Sequence, residues 1–272
     1  MPPPRLARSA RRAGPALESQ SDVAATGSLP RTDRRRRIDL SGLVDLVLPR
    51  ACAGCAGPSQ SLCPECVDNL IGACFDGGPV PALPYPPPLR LQSVWAAAAY
   101  EGTLTTVLRA YKDDGRRDLL PWLSALLEQS LTALILVRGV PAGSIVVPLP
   151  SSVRANRFRG DRPVEALVAD AAGRVGLSTV RGLRMRRRVR DAVGLRSAER
   201  MSNIADAMAG DARLLTGQQV VLADDIMTTG ASMAEAQRAV RSAGGVVVGR
   251  VVVASAARTV MAESLPFPSQ LG

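Results

Sequence analysis

The stretch Val220-Val221-Leu222-Ala223-Asp224-Asp225-Ile226-Met227-Thr228-Thr229-Gly230-Ala231-Ser232 decides how the rest of the chain is read. Its four leading apolar residues predict a buried strand. Two carboxylates follow where that strand is expected to end. A short run of hydroxyl and glycine residues then leads into residues 233–242, which have the period of a helix. In an open α/β sheet, ligands sit outside the carboxyl ends of the strands. A Gly- and Thr-rich turn entering a helix presents backbone N–H groups and the positive dipole end to an anion. Thr228, Thr229 and Ser232 add hydroxyl donors, and Gly230, with Ala231 beside it, allows close backbone approach. Asp224 and Asp225 are placed to hold sugar hydroxyls or a magnesium ion next to that anion. The residue types describe one cradle for a phosphorylated sugar. The plain alternative is a strand, an acidic turn and a Ser/Thr-capped helix with no ligand.

Working outward, strands are expected at residues 93–100, 144–149, 177–183 and 246–254, with helices at 104–111, 119–133 and 163–175. Strands alternating with helices predict an α/β fold with a doubly wound, mostly parallel sheet over residues 93–258. Residues 77–92, with Pro86-Pro87-Pro88, read as a linker or extended strap. Residues 259–272 read as a C-terminal tail.

Composition narrows the chemistry. The chain has 272 residues, 46% hydrophobic but only 3% aromatic, so its core must be built from Val, Leu, Ala and Ile. It has no histidine, which removes Ser-His and Cys-His nucleophile systems. Lys112 is the single lysine among 34 basic residues. The net charge is +10, of which +6 lies in residues 1–37, so the folded part is only mildly basic and charge is weak evidence for nucleic-acid binding. Residues 1–37 lack apolar periodicity and are expected to be a disordered basic tail. No apolar run reaches the roughly 18 residues that span a bilayer, and the basic N-terminus lacks the apolar core of a secretory signal. A cytoplasmic protein is expected.

Residues 38–76 open with an amphipathic helix over 38–48. Then come Cys52-x2-Cys55 and Cys63-x2-Cys66, seven residues apart. Two close thiolate pairs can converge tetrahedrally on one structural zinc ion. Redox dithiols and unmetallated thiols are the alternatives, and a disulfide is disfavoured in a reducing compartment. Cys74 reads as a packing thiol. A closed four-thiolate site leaves no open coordination position, so no zinc catalysis is expected.

The order of residue types over 220–232 resembles the phosphoribosyl-pyrophosphate (PRPP) motif of type I phosphoribosyltransferases. With the four-cysteine segment in front, the chain from about Leu43 to Ala257 resembles the ComF family of phosphoribosyltransferase-like proteins. The likeness includes Tyr100-Glu101-Gly102, Lys112-Asp113-Asp114-Gly115-Arg116, Val147-Pro148-Leu149-Pro150 and Arg157-Phe158-Arg159-Gly160. It also includes Asp191, Gly194-Leu195, Glu199-Arg200 and Asn203. It implies a phosphoribosyltransferase-like fold behind a small zinc ribbon, and binding of magnesium-PRPP or a related phosphoribosyl ligand. It implies Asp224 and Asp225 as catalytic acids. Arg154, Arg157 and Arg159, in a loop after a strand, suit a polyanion, and Lys112 and Arg116 add charge. Residues 188–200 would be a cover over the ligand. The implied activity is transfer of the phosphoribosyl group to an acceptor the sequence does not identify. ComF proteins are associated with DNA uptake, so the other reading is a non-catalytic adaptor whose pocket is regulatory. In that reading the ribbon docks a helicase or single-stranded DNA. Aromatic scarcity favours a protein partner over a base-stacking platform. The chain departs from the family's Arg-Gly-Phe-Asn-Gln at Arg159-Gly160-Asp161-Arg162-Pro163. There Asp161 and Pro163 read as a helix cap and a first-turn proline.

Overall fold

The apolar run at Val220 becomes the middle of a sheet because it is buried on both faces. In the computed structural model, which describes residues 51–58, 61–85, 87–88, 91–150, 162–186 and 206–256, this strand is β7, Gln219–Met227. The helix expected at 38–48, both tails, the Arg154–Arg159 loop and the cover at 188–200 lie outside the described residues. The other strands are β1 Val80–Ala82, β2 Val94–Ala99, β3 Ile145–Pro148, β4 Ser178–Thr179 and β8 Val246–Ser255. They lie in the order β1-β2-β8-β7-β3-β4; β1 is antiparallel to β2 and every other pairing is parallel. The helices are α1 Pro64–Gly72, α2 Gly102–Asp113, α3 Leu120–Arg138, α4 Pro163–Arg174, α5 Ala212–Leu215 and α6 Ala231–Ser242. A second, two-stranded sheet pairs β5, Leu183–Met185, with β6, Met208–Gly210.

Strand period decides which helices cover which face. Val221, Ala223, Val251 and Val253 cluster with Leu104 and Leu108 of α2, Leu127 and Leu131 of α3, and Leu167 of α4. Val220, Leu222 and Val252 cluster instead with Met233, Ala236 and Val240 of α6. Helices therefore sit on both faces, the doubly wound arrangement expected from the sequence. Each fully buried leucine in these rows stabilises by roughly 2 kcal/mol. Helix α3 belongs to a segment, Arg117–Arg138, that is long and apolar enough by composition to cross a membrane. Its Leu123, Leu127 and Leu131 are fully buried in the core, and Ser130 Oγ donates to the Val252 carbonyl at 2.8 Å.

The connections locate a crevice. From β3 the chain passes through α4 to β4 on one side; from β7 it passes through α6 to β8 on the other. β3 and β7 are neighbours, with Pro148 opposite Ala223, and their following helices lie on opposite faces. The strand order reverses there, which is where open α/β sheets take ligands.

Three local readings change. The strand expected at 177–183 is two strands: β4 stays on the main sheet and β5 leaves it to pair with β6. The strap at 77–92 contributes β1, where edge pairing tolerates Pro81 because its missing N–H breaks no interior ladder. Helix α4 does begin with Pro163 at its first turn, but its N-cap is Arg162, with no side-chain cap.

Candidate functional site

At the crevice, one pocket is lined by Asp224, Ile226, Met227, Thr228, Thr229, Gly230, Ala231, Ser232 and Met233. The quoted motif therefore closes on itself around a space. β7 runs through both aspartates to Met227 instead of ending before them, because its ladder with β8 continues to the Met227–Ser255 pair. Gly230 is the N-cap of α6, at φ 71°, a left-handed conformation that glycine adopts without a Cβ penalty. A Cβ there would lie 2.6 Å from Leu91 and 2.9 Å from Pro84. The strap thus packs against the back of the loop, and Gly230 is a core position as well as a place of close backbone approach. The strap is held in turn by Gln92, which accepts from Nη1 of buried Arg250 at 3.2 Å; Gln237 of α6 accepts from the same guanidinium. The α6 cap makes no side-chain hydrogen bond, though Thr229 Oγ1 accepts from Ala231 N–H at 3.4 Å. The first N–H groups of a helix have no partner within it and suit an anion.

The two aspartates part company. Asp224 lines the pocket. Asp225 continues the row of Val221 and Ala223, turned toward the α2 side, and is only 2% exposed. It too is a core position. Lys112 Nζ, from the last turn of α2, lies 2.8 Å from Asp225 Oδ2, and Asp225 Oδ1 accepts from Ile226 N–H at 2.9 Å. Burial works against the charge on Lys112, but Asp225 and Asp224 outweigh it and hold the ammonium above the usual lysine range. Burial pushes the Asp224 carboxyl well above the usual carboxylate range; the charge of Asp225 adds to this and Lys112 opposes it. Asp224 Oδ1 already accepts from Asp225 N–H at 2.9 Å. Magnesium is usually held by one or two accessible carboxylates together with waters and substrate phosphates. With three of its four oxygens engaged and the Lys112 ammonium already on Asp225, the pair by itself does not make a magnesium site.

The four cysteines come together as their spacing predicts. Their Sγ atoms all lie within 4.8 Å of one another, and Cys55 and Cys63 approach to 3.7 Å. A tetrahedron with Zn–S bonds of about 2.3 Å has edges of about 3.8 Å, so the donor set fits zinc. Cys52 and Cys55 lie on a tight turn closed by the Ala51–Pro58 bridge. Cys63 is the N-cap of α1 and Cys66 lies in its first turn. The second half of the cluster is thus a helix start and not a second turn. Burial pushes the Cys52 thiol up, but the backbone around Cys55, Cys63 and Gly54 holds it down to about 6. Gly54 N–H and Cys63 N–H both point at Cys52 Sγ, at 3.4 and 3.3 Å. Burial pushes the Cys66 thiol up, as do its thiol neighbours, so a metal would have to displace that proton. Gly54 is required by closeness: a Cβ there would meet Cys66 Sγ at 2.5 Å. Cys74 stands apart, half-buried, with its thiol on the Leu70 carbonyl, as a packing residue does.

Some residues that organise the site were not legible. Arg116, expected to add charge at the pocket, reaches the cysteine segment instead: it donates to the Ala51 carbonyl at 2.9 Å and to both oxygens of Asp118 at 2.9 and 2.8 Å. Glu235 and Arg238, one turn apart on α6, clamp β6: Glu235 Oε1 accepts from Met208 N–H and Arg238 Nη2 donates to the Met208 carbonyl, both at 2.9 Å. Their spacing signals a helical ion pair, but nothing local identifies Met208 as its partner. Arg154, Arg157 and Arg159 lie outside the described residues.

No protein-family profile matches the chain. No curated protein matches it either. Among solved structures it is similar to the allosteric regulatory enzyme of purine biosynthesis, at 18% identity and TM-score 0.31, over 49% of this chain but only 25% of that one. It is similar to adenine phosphoribosyltransferase from Thermoanaerobacter pseudethanolicus, at 16% identity and TM-score 0.35, over 70% of this chain and 87% of that one. The enzyme of the same name from Rhodothermus marinus aligns at 18% identity and TM-score 0.32, over 70% and 86% of the two chains.

Proposed function

We propose that this chain binds a phosphoribosyl ligand, PRPP or another ribose 5-phosphate compound, at the carboxyl end of β7. One observation carries the reading: Asp224, the Thr228–Ser232 loop and the start of a 12-residue helix line one pocket at the point where a parallel sheet reverses its strand order. The phosphate sits on the loop hydroxyls and the helix N–H groups. The ribose hydroxyls fall to Asp224. If transfer follows, the leaving group departs from the anomeric carbon, and Asp224 in its ionised form faces the positive charge that develops there. Arg154, Arg157 and Arg159, which follow β3 in sequence, are proposed for the leaving pyrophosphate. A structural zinc ion at Cys52, Cys55, Cys63 and Cys66 belongs to the same reading, as does a reducing, cytoplasmic setting. The ComF likeness supplies the finer version, in which the cysteine segment docks a helicase or another DNA-uptake protein.

Calorimetric titration with PRPP and with ribose 5-phosphate tests the pocket. Hydrogen bonds to a charged group are worth about 1.5–3 kcal/mol, so Ser232→Ala or Thr229→Ala should weaken binding roughly tenfold or more. Absence of heat and of any ligand-induced melting shift at millimolar concentration overturns the reading. Turnover with a panel of nucleobases then separates a transferase from a binding protein.

A further inference from the structure

Asp225, next in the strand to the Asp224 that lines this pocket, comes with its own cation. We propose that Lys112 is the resident cation of Asp224 and Asp225, and that the pocket takes the ribose 5-phosphate group of its ligand without a divalent ion. The inference rests on the phosphoribosyl reading above and deepens it.

The argument starts from charge. A phosphorylated sugar brings negative charge to a loop that already has two carboxylates behind it, so a cation is needed nearby. Lys112 Nζ is within 2.8 Å of Asp225 Oδ2, while the Asp225 side chain is 3% exposed. A carboxylate at that depth needs a permanent counter-charge. The lysine side chain, 36% exposed, is not sealed in with it. An ammonium has three N–H donors, more than one carboxylate oxygen can occupy. Lysine suits this task better than arginine because its charge is compact and its donors radiate from one atom, much as a bound ion's ligand sites do. In this chain the choice stands out: all 33 other basic side chains are arginine. Helix α2 fixes the placement, since Tyr111, next to Lys112, is fully buried and donates to the Pro163 carbonyl at 2.8 Å. Packing thus fixes the backbone of Lys112, and the ion pair with Asp225 holds Nζ.

The test uses ribose 5-phosphate and the full chain as purified, with magnesium removed on chelating resin or restored at millimolar level. The expected result is wild-type affinity that agrees within about twofold between the two conditions. Lys112→Met should lose at least about tenfold without magnesium and recover part of it when magnesium is added, because Asp225 is now free. Wild-type binding that requires magnesium overturns the inference while leaving the phosphoribosyl reading intact. Equal binding by Lys112→Met without magnesium overturns it too. A ligand-free measurement keeps the two readings separable. Manganese, followed by electron paramagnetic resonance, should find no site on the wild type that Asp225→Asn abolishes; Lys112→Met should create one, and Lys112→Met/Asp225→Asn should lose it. A wild-type manganese site removed by Asp225→Asn overturns the inference whatever ribose 5-phosphate does. If Lys112→Met fails to fold, the wild-type comparison and the Asp225→Asn comparison still decide.

Discussion

The cysteine cluster and the β7 pocket are built on opposite plans. The cluster gathers four side chains of one type from two short segments onto a single point, with very little structure of its own beneath them. Its apolar residues, Ala53, Leu70 and Ala73, are borrowed into the main core. The pocket is made mostly of backbone: a strand end, a left-handed glycine and a helix start, all held by the sheet whether or not a ligand is present. A site of the first kind should collapse when its ligand leaves. A site of the second kind should persist empty.

The sharpest way to break this contrast is to remove a thiolate. Cys66→Ser is expected to abolish metal binding. Structural zinc sites in small peptides contribute on the order of 10 kcal/mol, so hydrogen-exchange protection over residues 51–72 should be lost. The main sheet should stay protected. A wild-type protein purified without chelator and free of zinc removes the basis of the comparison.

Next in size is Gly230→Val. Left-handed strain and overpacking against Leu91 and Pro84 together are expected to cost about 3 kcal/mol. Chemical denaturation should show this with no ligand present. A variant as stable as wild type but unable to bind would mean that the loop is not anchored to the strap.

Arg116→Ala tests the join between the two regions. Loss of charge-assisted bonds to the Ala51 carbonyl and Asp118 should cost about 1.5–3 kcal/mol, with exchange rising first around residues 51–61. Unchanged exchange there would show that other contacts, such as the Ser61 Oγ bond to the Asp118 carbonyl, carry the join.

The smallest effect has the opposite sign. Asp224 has a carboxyl raised above its unfolded value, so its stabilising share is complete in acid and is lost as pH rises through the folded value. Asp224→Asn should therefore be slightly more stable than wild type at neutral pH, with the gain vanishing in acid. A variant less stable than wild type at pH 7 would show that the ionised acid supports the fold. Any loss of ligand affinity is a separate readout.

How far the sequence could be read follows the same division. The cysteine spacing pointed to a candidate metal site because every donor is local, and the structure brings all four thiols together. The apolar runs at Val146 and Val220 announced central strands because burial on both faces leaves an unbroken apolar signature. The loop residues 228–232 were legible for the same reason: the pocket they line is local in sequence. What stayed hidden was the partner of Asp225. Lys112 is 113 positions away, and no period or propensity ties them. It also was not legible that the aspartates would face different sides of β7, since that required knowing that the ladder with β8 runs on to Met227. Arg116 was misplaced for a related reason. Lys112, four positions earlier, reaches Asp225, but a left-handed Gly115 turns the chain between them.

That turn has a thermodynamic consequence. One end of α2 holds Lys112 on the acids, and four residues later Arg116 holds the carbonyl of Ala51, next to the first cysteine. Whatever free energy this strut carries between the two regions must be the same in both directions. A phosphorylated sugar that tightens the hold on Lys112 should then raise the affinity of the cysteines for their metal by the factor by which the metal raises affinity for the sugar. Slower zinc release to a chelator in the presence of ribose 5-phosphate would be the visible half of that reciprocity.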